Sequence, residues 1–219
     1  MRIVILGGGF AGCVMAYLLR QDGHEVVIVE QEETLGGMTR TFYKEGLAYE
    51  IGPHIIYTDS EEVIKFIKRF INIVPNIVYV GTYVEDKLIS YPPHRNELQE
   101  LKSGGRIAKE LKEAENRDIN RSNFESYLLS KVGKTAYNLF YYSFTKKFWG
   151  VEPKSLNADW AKIRSLSFNC NGDKRAFSAK YQGYPETDYN DLISGLAKGC
   201  RIIKARVNKF LKEPNQQIQ

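Results

Sequence analysis

The chain has 219 residues, of which 43% are apolar and 12% aromatic, a composition typical of globular proteins and unlike that of disordered chains. The net charge of +5 comes from dispersed basic residues, so no nucleic-acid partner is predicted. Three cysteines lack the paired spacing of a metal site or a disulfide framework, which predicts no metal and a cytoplasmic location. We expect neither a signal peptide nor a membrane span, since no apolar run approaches about 20 residues.

The N-terminal residues predict a strand, a turn and a helix. Arg2 to Leu6 form a short apolar run, glycines follow, and Phe10 to Leu19 are apolar enough for a buried helix. Glu25 to Glu30 predict a second buried strand, parallel to the first because such crossovers are right-handed. Together these segments form a βαβ unit.

Glycines at the end of the first strand indicate a nucleotide site. Gly7, Gly9 and Gly12 have the spacing of a dinucleotide-binding loop, which permits a tight turn, close approach of a pyrophosphate and close helix packing. Glu30 ends the second strand, where a carboxylate can accept hydrogen bonds from the ribose of an adenosine cofactor. The alternative is a structural glycine-rich turn.

The middle of the chain predicts helices and one strand pair. Ser60 is expected to cap a helix whose apolar stripe runs to Ile71. Asn76 to Tyr91 predict two antiparallel strands around a polar break. Lys102 to Arg121 contain few large apolar residues and predict a mobile or solvated helical connector.

The last third predicts three helices and one strand. Ser122 begins a capping-box pattern, and Gly133 to Phe148 predict a further helix. Asp188, or Thr187 before it, can cap another helix. Cys200 to Val207 predict a final strand.

A second glycine pair follows Glu30. Gly36-Gly37-Met38-Thr39-Arg40 resembles the motif with which FAD enzymes of the amine oxidase and sugar mutase type continue their dinucleotide loop, and Arg40 stands where that family usually has Arg. The combination favours FAD over NAD, whereas a surface turn followed by a strand is the alternative.

The next motif narrows the resemblance. Gly52-Pro53-His54-Ile55-Ile56-Tyr57-Thr58 resembles a Gly-Pro/Ala-His-Ile-Phe-His-Thr stretch of UDP-galactopyranose mutases. His54 matches the first His, which lies beside the flavin in that family, and is the candidate catalytic residue. Tyr57 replaces the second His. The resemblance thus implies these cofactor-binding residues: Gly7, Gly9, Phe10, Ala11, Gly12, Glu30, Gln31, Gly36, Gly37, Met38, Arg40 and His54.

Two later motifs imply a bound UDP-sugar. Phe144-Thr145-Lys146-Lys147-Phe148-Trp149-Gly150 resembles the mutase Tyr-Thr-x-Lys-Gln-Trp-Gly, whose aromatic residues embrace the nucleotide. Tyr181-Gln182-Gly183-Tyr184-Pro185 matches the mutase Tyr-Gln-Gly-x-Pro, and Arg164 is approximately aligned with a phosphate-contacting Arg. The implied substrate-binding residues are Phe144, Trp149, Arg164 and Tyr181. Each aromatic residue alone would be interpreted as core.

The resemblance implies an α/β fold, in which a Rossmann-like FAD-binding domain of the GR2 type carries an inserted, mainly helical substrate domain. We expect the FAD-binding part at 1–75, the inserted strand pair and helical region at 76–180, and a return to the FAD-binding domain at 181–219. Because the family continues beyond this length, the C-terminal part of the fold is expected to be missing. That predicts poor activity alone, and a homo-oligomer or a complementing C-terminal chain.

The implied activity is interconversion of the pyranose and furanose forms of UDP-galactose on reduced FAD, for surface polysaccharide biosynthesis. One segment favours another function: Ala158-Asp159-Trp160-Ala161 looks more like flavoproteins related to protoporphyrinogen oxidase. An FAD-dependent oxidoreductase of the protoporphyrinogen oxidase or amine oxidase type and an inactive FAD-binding fragment are therefore the alternatives. The motifs do not distinguish among nucleotide sugars.

Overall fold

The computed structural model describes residues 1–91, 93–160 and 175–209, and the chain divides into two units. Unit 1 comprises Met1–Asn76 and Ala179–Gln219, and unit 2 comprises Ile77–Ser178. Unit 1 is therefore assembled from two separate parts of the sequence. None of the helices within the described ranges combines the length and apolar character that crossing a bilayer requires.

The described strands, in chain order, are β1 (Arg2–Leu6), β2 (Glu25–Glu30), β3 (Thr41–Lys44), β4 (Leu47–Glu50), β5 (Ile56–Thr58), β6 (Ile73–Pro75), β7 (Val80–Val84), β8 (Lys87–Tyr91), β9 (Tyr181–Pro185) and β10 (Arg201–Lys204). The described α-helices are α1 (Phe10–Gln21), α2 (Glu61–Ile67), α3 (Arg95–Leu98), α4 (Gly104–Ala114), α5 (Phe124–Ala136), α6 (Ser143–Trp149) and α7 (Tyr189–Ala197).

The first sheet of unit 1 is parallel, with the strand order β1-β2-β10. Ile28 of β2 lies opposite Ile5 of β1 and Ile202 of β10. α1 connects β1 to β2 and packs against α7, and Ile28, Leu192 and Leu196 are almost fully buried in the resulting core. Burial of each such side chain contributes roughly 2 kcal/mol. The predicted βαβ unit and final strand are confirmed.

The second sheet of unit 1 is antiparallel and was not predicted. β9 lies between β5 and β6. A Cβ on Gly183 would lie 2.4 Å from the carbonyl oxygen of Val74, so the close pairing of β9 with β6 requires glycine. The glycine of the Tyr-Gln-Gly-x-Pro motif thus has a structural role, whatever Tyr181 does.

Two predicted helix caps in unit 1 are confirmed. The hydroxyl of Ser60 accepts a hydrogen bond from the N–H of Val63 at 3.3 Å, and Asp188 accepts one from the N–H of Asp191 at 3.1 Å. α2 ends at Ile67 and is therefore shorter than its predicted apolar stripe. Ile71, the last residue of that stripe, lies beyond the helix, but its side chain is buried.

Unit 2 begins with the predicted strand pair. β7 and β8 are antiparallel and meet at Glu85 and Asp86, whose φ values are 49° and 66°. Two consecutive residues with positive φ are typical of a type I′ turn, which matches the twist of a hairpin. The carboxylate of Glu85 accepts a hydrogen bond from the N–H of Ser103 at 2.9 Å and so connects this turn to the residue before α4.

The helix predicted within 102–121 is confirmed, but its description as a mobile or solvated connector is wrong. α4 buries Ile107 completely, packs against α5 and belongs to the core of unit 2 together with Leu98 and Leu101. The few apolar residues of the segment include Ile107, Leu111 and Ala114, whose spacing places them on one face of a helix. Counting apolar residues therefore concealed the buried face of this helix, whose apolar positions are few but aligned.

The start of α5 differs by one residue from the prediction. Asn123 rather than Ser122 is the cap, and its side chain accepts a hydrogen bond from the N–H of Ser126 at 2.9 Å. Both residue types are good caps, so only the structure distinguishes them.

The helix predicted over 133–148 is divided. Gly133 interrupts α5 with a φ of 79°, and the chain beyond it is capped by Glu110 of α4, which accepts hydrogen bonds from the N–H and hydroxyl of Thr135 at 2.7 and 2.8 Å. A π-helical segment, Tyr137–Tyr142, then leads into α6.

Candidate functional site

The glycine loop, Gly7 to Gly12, joins β1 to α1. Gly7 has a φ of +97°, a conformation that favours glycine. A Cβ on Gly12 would lie 2.1 Å from the carbonyl oxygen of Gly7, so the turn and α1 can approach only because Gly12 has no side chain. On Gly9 a Cβ would meet nothing within 4 Å. The loop therefore leaves open space beside Gly9.

The second glycine pair packs directly on this loop. The N–H of Gly36 donates to the carbonyl of Gly8 at 2.7 Å, and a Cβ on Gly37 would lie 3.2 Å from the Cα of Gly9. Arg40 donates from Nε to the carbonyl of Gly37 at 2.9 Å and fixes the intervening 3₁₀ turn. The two glycine motifs thus form one backbone cluster.

The carboxylate of Glu30, at the end of β2, also binds the glycine loop. Its Oε2 accepts from the N–H of Gly8 at 2.7 Å and its Oε1 from the N–H of Glu32 at 2.9 Å. Burial acts to raise the pKa of Glu30, but these hydrogen bonds, together with the Gln31 amide and the charge of Arg40, outweigh burial and lower the pKa. The group is therefore ionised at neutral pH, and its remaining lone pairs can accept hydrogen bonds from ribose hydroxyls.

This arrangement fits a dinucleotide such as FAD. Within the described part of the chain no side chain caps the N-terminus of α1, so the free N–H groups and the positive end of the helix dipole are available to a pyrophosphate. The space beside Gly9 gives the phosphates room, and Glu30 lies at the position expected for ribose contact. The other predicted cofactor residues near the cluster are Phe10 and Ala11, which begin α1, Gln31, which follows β2, and Met38, which lies exposed in the 3₁₀ turn.

His54 lines an open groove of unit 1 with a volume of about 550 Å³, hereafter the groove. Its Nδ1 lies 3.2 Å from Oε2 of Glu50, and both side chains are 25% exposed. The imidazole ring packs edge-to-face on Tyr189, whose hydroxyl donates to the carbonyl of His54 at 2.7 Å. Burial and then the charge of Glu50 raise the pKa of Tyr189, so this hydroxyl stays a neutral donor.

Contacts between distant parts of the sequence hold the groove. The N–H of Thr41 donates to Oδ1 of Asn190 at 3.1 Å, although the two residues are 149 positions apart, and Nδ2 of Asn190 donates to the carbonyl of Thr41 at 2.7 Å. Tyr43 hydrogen-bonds to Asp188. Thr41 follows Arg40 and lines the groove, so it links the glycine cluster to His54.

Tyr181, a predicted substrate residue, does not line the groove. Tyr184 and Pro185 of the same strand do, although neither was predicted as a site residue. Tyr181 is half-buried, and Nζ of Lys180 lies 4.8 Å from the centroid of its ring. Among the described residues no Lys or Arg lines the groove, whereas Lys180 places a positive charge beside Tyr181. A diphosphate therefore suits the surroundings of Tyr181 better than the groove.

In unit 2, Phe144 and Trp149 belong to a row of exposed rings, hereafter the aromatic ladder. Phe144 stacks on Phe148 with centroids 5.7 Å apart, Phe148 meets Trp149 edge-to-face at 5.2 Å, and Trp149 packs on Trp160 at 5.0 Å. Trp149 is 38% and Phe148 is 55% exposed. Exposed apolar patches of this kind are typical of binding surfaces.

Some predictions fall outside the described residues or concern metals. Arg164 and Ala161 of the oxidase-like segment lie outside the described ranges, as does Cys170. Cys13 and Cys200 are free thiols. In the part of the chain that the structure covers, no group of three His, Cys, Asp or Glu side chains could hold a metal ion.

Known families match two segments of the chain. The model of an NAD(P)-binding Rossmann-like domain matches residues 5–70, and that of UDP-galactopyranose mutase matches residues 139–218. The first segment contains the whole glycine loop, Glu30 and His54, and the second contains the aromatic ladder and Tyr181.

Similarity to curated mutases extends over nearly the whole chain. A probable UDP-galactopyranose mutase of Klebsiella pneumoniae is 28% identical over 98% of this chain and 58% of its own length. A dTDP-fucopyranose mutase of Escherichia coli is 29% identical over 89% of this chain and 53% of its own length. An L-amino-acid oxidase of Crotalus adamanteus is 39% identical, but over only 32% of this chain. The chain spans about half the length of the curated mutases it matches.

A solved structure shows the same fold. The crystal structure of a reduced UDP-galactopyranose mutase matches with a TM-score of 0.72 at 20% identity, over 92% of this chain and 48% of that one. The predicted α/β fold with a Rossmann-like domain is therefore confirmed.

Proposed function

We propose that this chain is the FAD- and nucleotide-binding part of a nucleotide-sugar mutase, on the basis of its similarity to UDP-galactopyranose mutases. Such an enzyme is an isomerase, and the proposed reaction interconverts the pyranose and furanose forms of UDP-galactose. One observation carries the proposal: the same chain contains an uncapped helix at a glycine loop and, within the segment that matches the mutase family, an aromatic ladder. When bound and reduced, FAD supplies the chemistry at the sugar, without net redox change. A cytoplasmic role in surface polysaccharide biosynthesis is part of the proposal.

The cofactor would be held by the backbone of unit 1. The N–H groups at the start of α1 bind the pyrophosphate beside Gly9, and the ionised carboxylate of Glu30 accepts from the ribose. Gly36 and Gly37 fix the shape of the loop by packing on it. His54 is proposed to contact the flavin or the sugar from the groove.

Each unit offers side chains that suit a nucleotide sugar. In unit 2, Trp149 and Phe144 of the aromatic ladder offer exposed ring faces for a base. In unit 1, Tyr181 beside Lys180 offers a hydroxyl and a positive charge to a diphosphate. Arg164 is proposed as a further phosphate contact on the sequence motif alone. An amine oxidase-type function has less support, because the oxidase relative matches only a third of the chain whereas the mutases match nearly all of it.

A partner beside β1 is also proposed. The outer edge of β1 is unpaired among the described strands, and Val4 and Leu6 are 54% and 44% exposed. Strands apolar on both faces are typical of sheet interiors, so a further strand, from a complementing chain or a second copy, would cover this edge. Light scattering of the purified chain tests for the second copy, and a monodisperse monomer would exclude it.

The direct test of function uses flavin and nucleotide binding together. The purified chain is incubated with FAD or NADPH, and its absorbance spectrum is recorded after desalting; retention of NADPH without flavin would contradict the proposal. Titration with UDP, dTDP and an amine substrate then identifies the ligand class. Finally, chemically reduced FAD and UDP-galactofuranose are added, and pyranose formation is followed by chromatography. We expect flavin and UDP binding but weak turnover by the chain alone.

A further inference from the structure

Glu50 and His54 are brought together by a tight turn. Glu50 ends β4, where its backbone pairs with Thr41 of β3. The N–H of Gly52 donates to the carbonyl of Glu50 at 3.0 Å, and Gly52 has a φ of +81°. This turn reverses the chain so that the His54 ring returns to the Glu50 carboxylate at 3.2 Å. The contact is therefore fixed by strand pairing on one side and a glycine turn on the other.

The imidazole has little freedom to rotate away from this carboxylate. Tyr189 packs edge-to-face on the ring with centroids 6.0 Å apart, and its hydroxyl holds the backbone of His54 at 2.7 Å. Within the described residues Nε2 of His54 has no hydrogen-bond partner, and the residue lines the groove.

We propose that Glu50 is a positioning residue that fixes His54 as its Nδ1–H tautomer and leaves Nε2 as a hydrogen-bond acceptor for the ligand of the groove. An ionised carboxylate can only accept hydrogen bonds, so Nδ1 must carry the proton that joins the two side chains. In a neutral imidazole Nε2 then has a lone pair. In water a neutral histidine favours the opposite tautomer, so Glu50 reverses the intrinsic preference.

The fixed tautomer selects the chemistry of the ligand. A lone pair on Nε2 accepts from an O–H or N–H group, such as a sugar hydroxyl or a flavin ring N–H, and repels a carbonyl or phosphate oxygen. The absence of Lys and Arg among the described lining residues of the groove agrees with this preference. This inference rests on the proposed function, because it is there that His54 faces a flavin or a sugar.

The tautomer can be measured without cofactor or substrate. Long-range ¹⁵N–¹H correlation spectra of the full chain at about pH 8.5, above the usual titration range of an imidazole, distinguish the two neutral forms. The chain has three histidines, which makes assignment by substitution simple. His94 is an internal reference, because its Nδ1 accepts from the N–H of Asn96 at 3.3 Å and its expected tautomer is therefore Nε2–H.

We expect His54 to be Nδ1–H in the wild type and in Glu50→Gln, whose side-chain oxygen still accepts, and to become Nε2–H in Glu50→Ala. Glu45→Gln, in the turn of the same hairpin, is the matched control and should change nothing. A wild-type His54 that is Nε2–H or doubly protonated at this pH, or a Glu50→Ala chain with an unchanged tautomer, would overturn the proposal. If Glu50→Ala fails to fold, the wild-type and Glu50→Gln spectra still decide.

A second measurement separates this inference from the proposed function. Glu50→Gln should bind FAD within about twofold of the wild type, whereas Glu50→Ala should bind it several-fold more weakly if the flavin donates to Nε2. A chain that shows the Nδ1–H tautomer but binds no flavin would refute the proposed function and leave the role of Glu50 intact. A chain that binds flavin with His54 as Nε2–H would support flavin binding and refute the role proposed for Glu50.

Discussion

The glycine loop of unit 1 and the aromatic ladder of unit 2 present a binding surface in opposite ways. In the loop, the three consecutive glycines have no side chains, and no described side chain caps the backbone N–H groups at the start of α1. In the ladder, the backbone is mostly helical and large rings such as Trp149 remain exposed. The glycines are informative in two ways, since Gly12 has no room for a Cβ and Gly9 has room that no described residue fills. An exposed ring of the ladder is informative in one way only, as a candidate contact for a ligand.

The largest effect should come from Gly12→Ala, which tests the structural glycine. The added methyl group would lie 2.1 Å from the carbonyl oxygen of Gly7, so α1 must move away from the turn. We expect the free energy of unfolding, measured in urea by circular dichroism, to fall by about 3 kcal/mol. Gly105→Ala in α4 is the control, since its Cβ would meet nothing within 4 Å and its stability should not fall. Equal stabilities of the two variants would show that the loop does not need glycine at position 12.

Gly9→Val tests the other kind of glycine. Gly9 has a φ of −68°, and a Cβ on it would meet no described atom within 4 Å, so valine is tolerated and the unfolding free energy should stay within about 0.5 kcal/mol of the wild type. The side chain would occupy the space proposed for the pyrophosphate. Loss of one charge-assisted hydrogen bond costs about 2 kcal/mol, which corresponds to roughly 30-fold weaker FAD binding in a fluorescence titration. Unchanged affinity would place the pyrophosphate elsewhere.

Glu30→Gln tests the carboxylate that joins β2 to the loop. Because the pKa of Glu30 is lowered in the folded chain, its ionised form stabilises the fold above the unfolded pKa, and this stabilisation is lost as the pH falls through the folded pKa. We expect the variant to be about 1.5 kcal/mol less stable at pH 7, and the difference in stability to shrink as the pH falls below the usual range of a glutamate. Glu25→Gln, at the exposed start of β2, should show a much smaller change at either pH. A difference that grows in acid would contradict the assignment.

Trp149→Ala tests the ladder and should have the smallest effect. Stacking of an aromatic ring contributes on the order of 1 kcal/mol, so UDP affinity measured by calorimetry should fall about fivefold. Tyr83→Ala removes an exposed ring of the β7-β8 hairpin, away from the ladder in sequence, and serves as the control. Equal UDP affinities of the two variants would exclude the ladder as the base-binding surface.

Sequence patterns predicted the secondary-structure elements that are determined by residues close together in sequence. The βαβ unit follows from two apolar runs, and the β7-β8 turn follows from the polar pair between its strands. β9 escaped prediction because a segment with Gly183 and Pro185 has poor strand propensity, and only its pairing with β5 and β6 makes it a strand. The helix α4 was predicted but its burial was not, because its alignment with α5 matters more than its apolar content.

Some parts of the candidate site could likewise be predicted from the sequence, and others could not. The glycine cluster could be predicted because backbone geometry restricts the residue type at each position. The groove could not, since the bond between Thr41 and Asn190 spans 149 positions and neither residue is unusual in its local sequence. Glu50 was overlooked for a similar reason: its partnership with His54 depends on the turn at Gly52.

The discontinuity of unit 1 has a consequence for how the chain is made. During synthesis residues 1–76 emerge first, and β2 has only β1 as a partner until β10, which begins at Arg201, is translated about 125 residues after Asn76. Closing an unfolded loop of that length costs about 4 kcal/mol of chain entropy. Unit 2 removes most of this cost if it folds first, because the N–H of Ala176 donates to the carbonyl of Val78 at 2.8 Å and holds its two ends together. Early folding of unit 2 would thus shorten the effective loop between the two parts of unit 1, so that α7 and β10 can pair with the first part at a lower entropic cost.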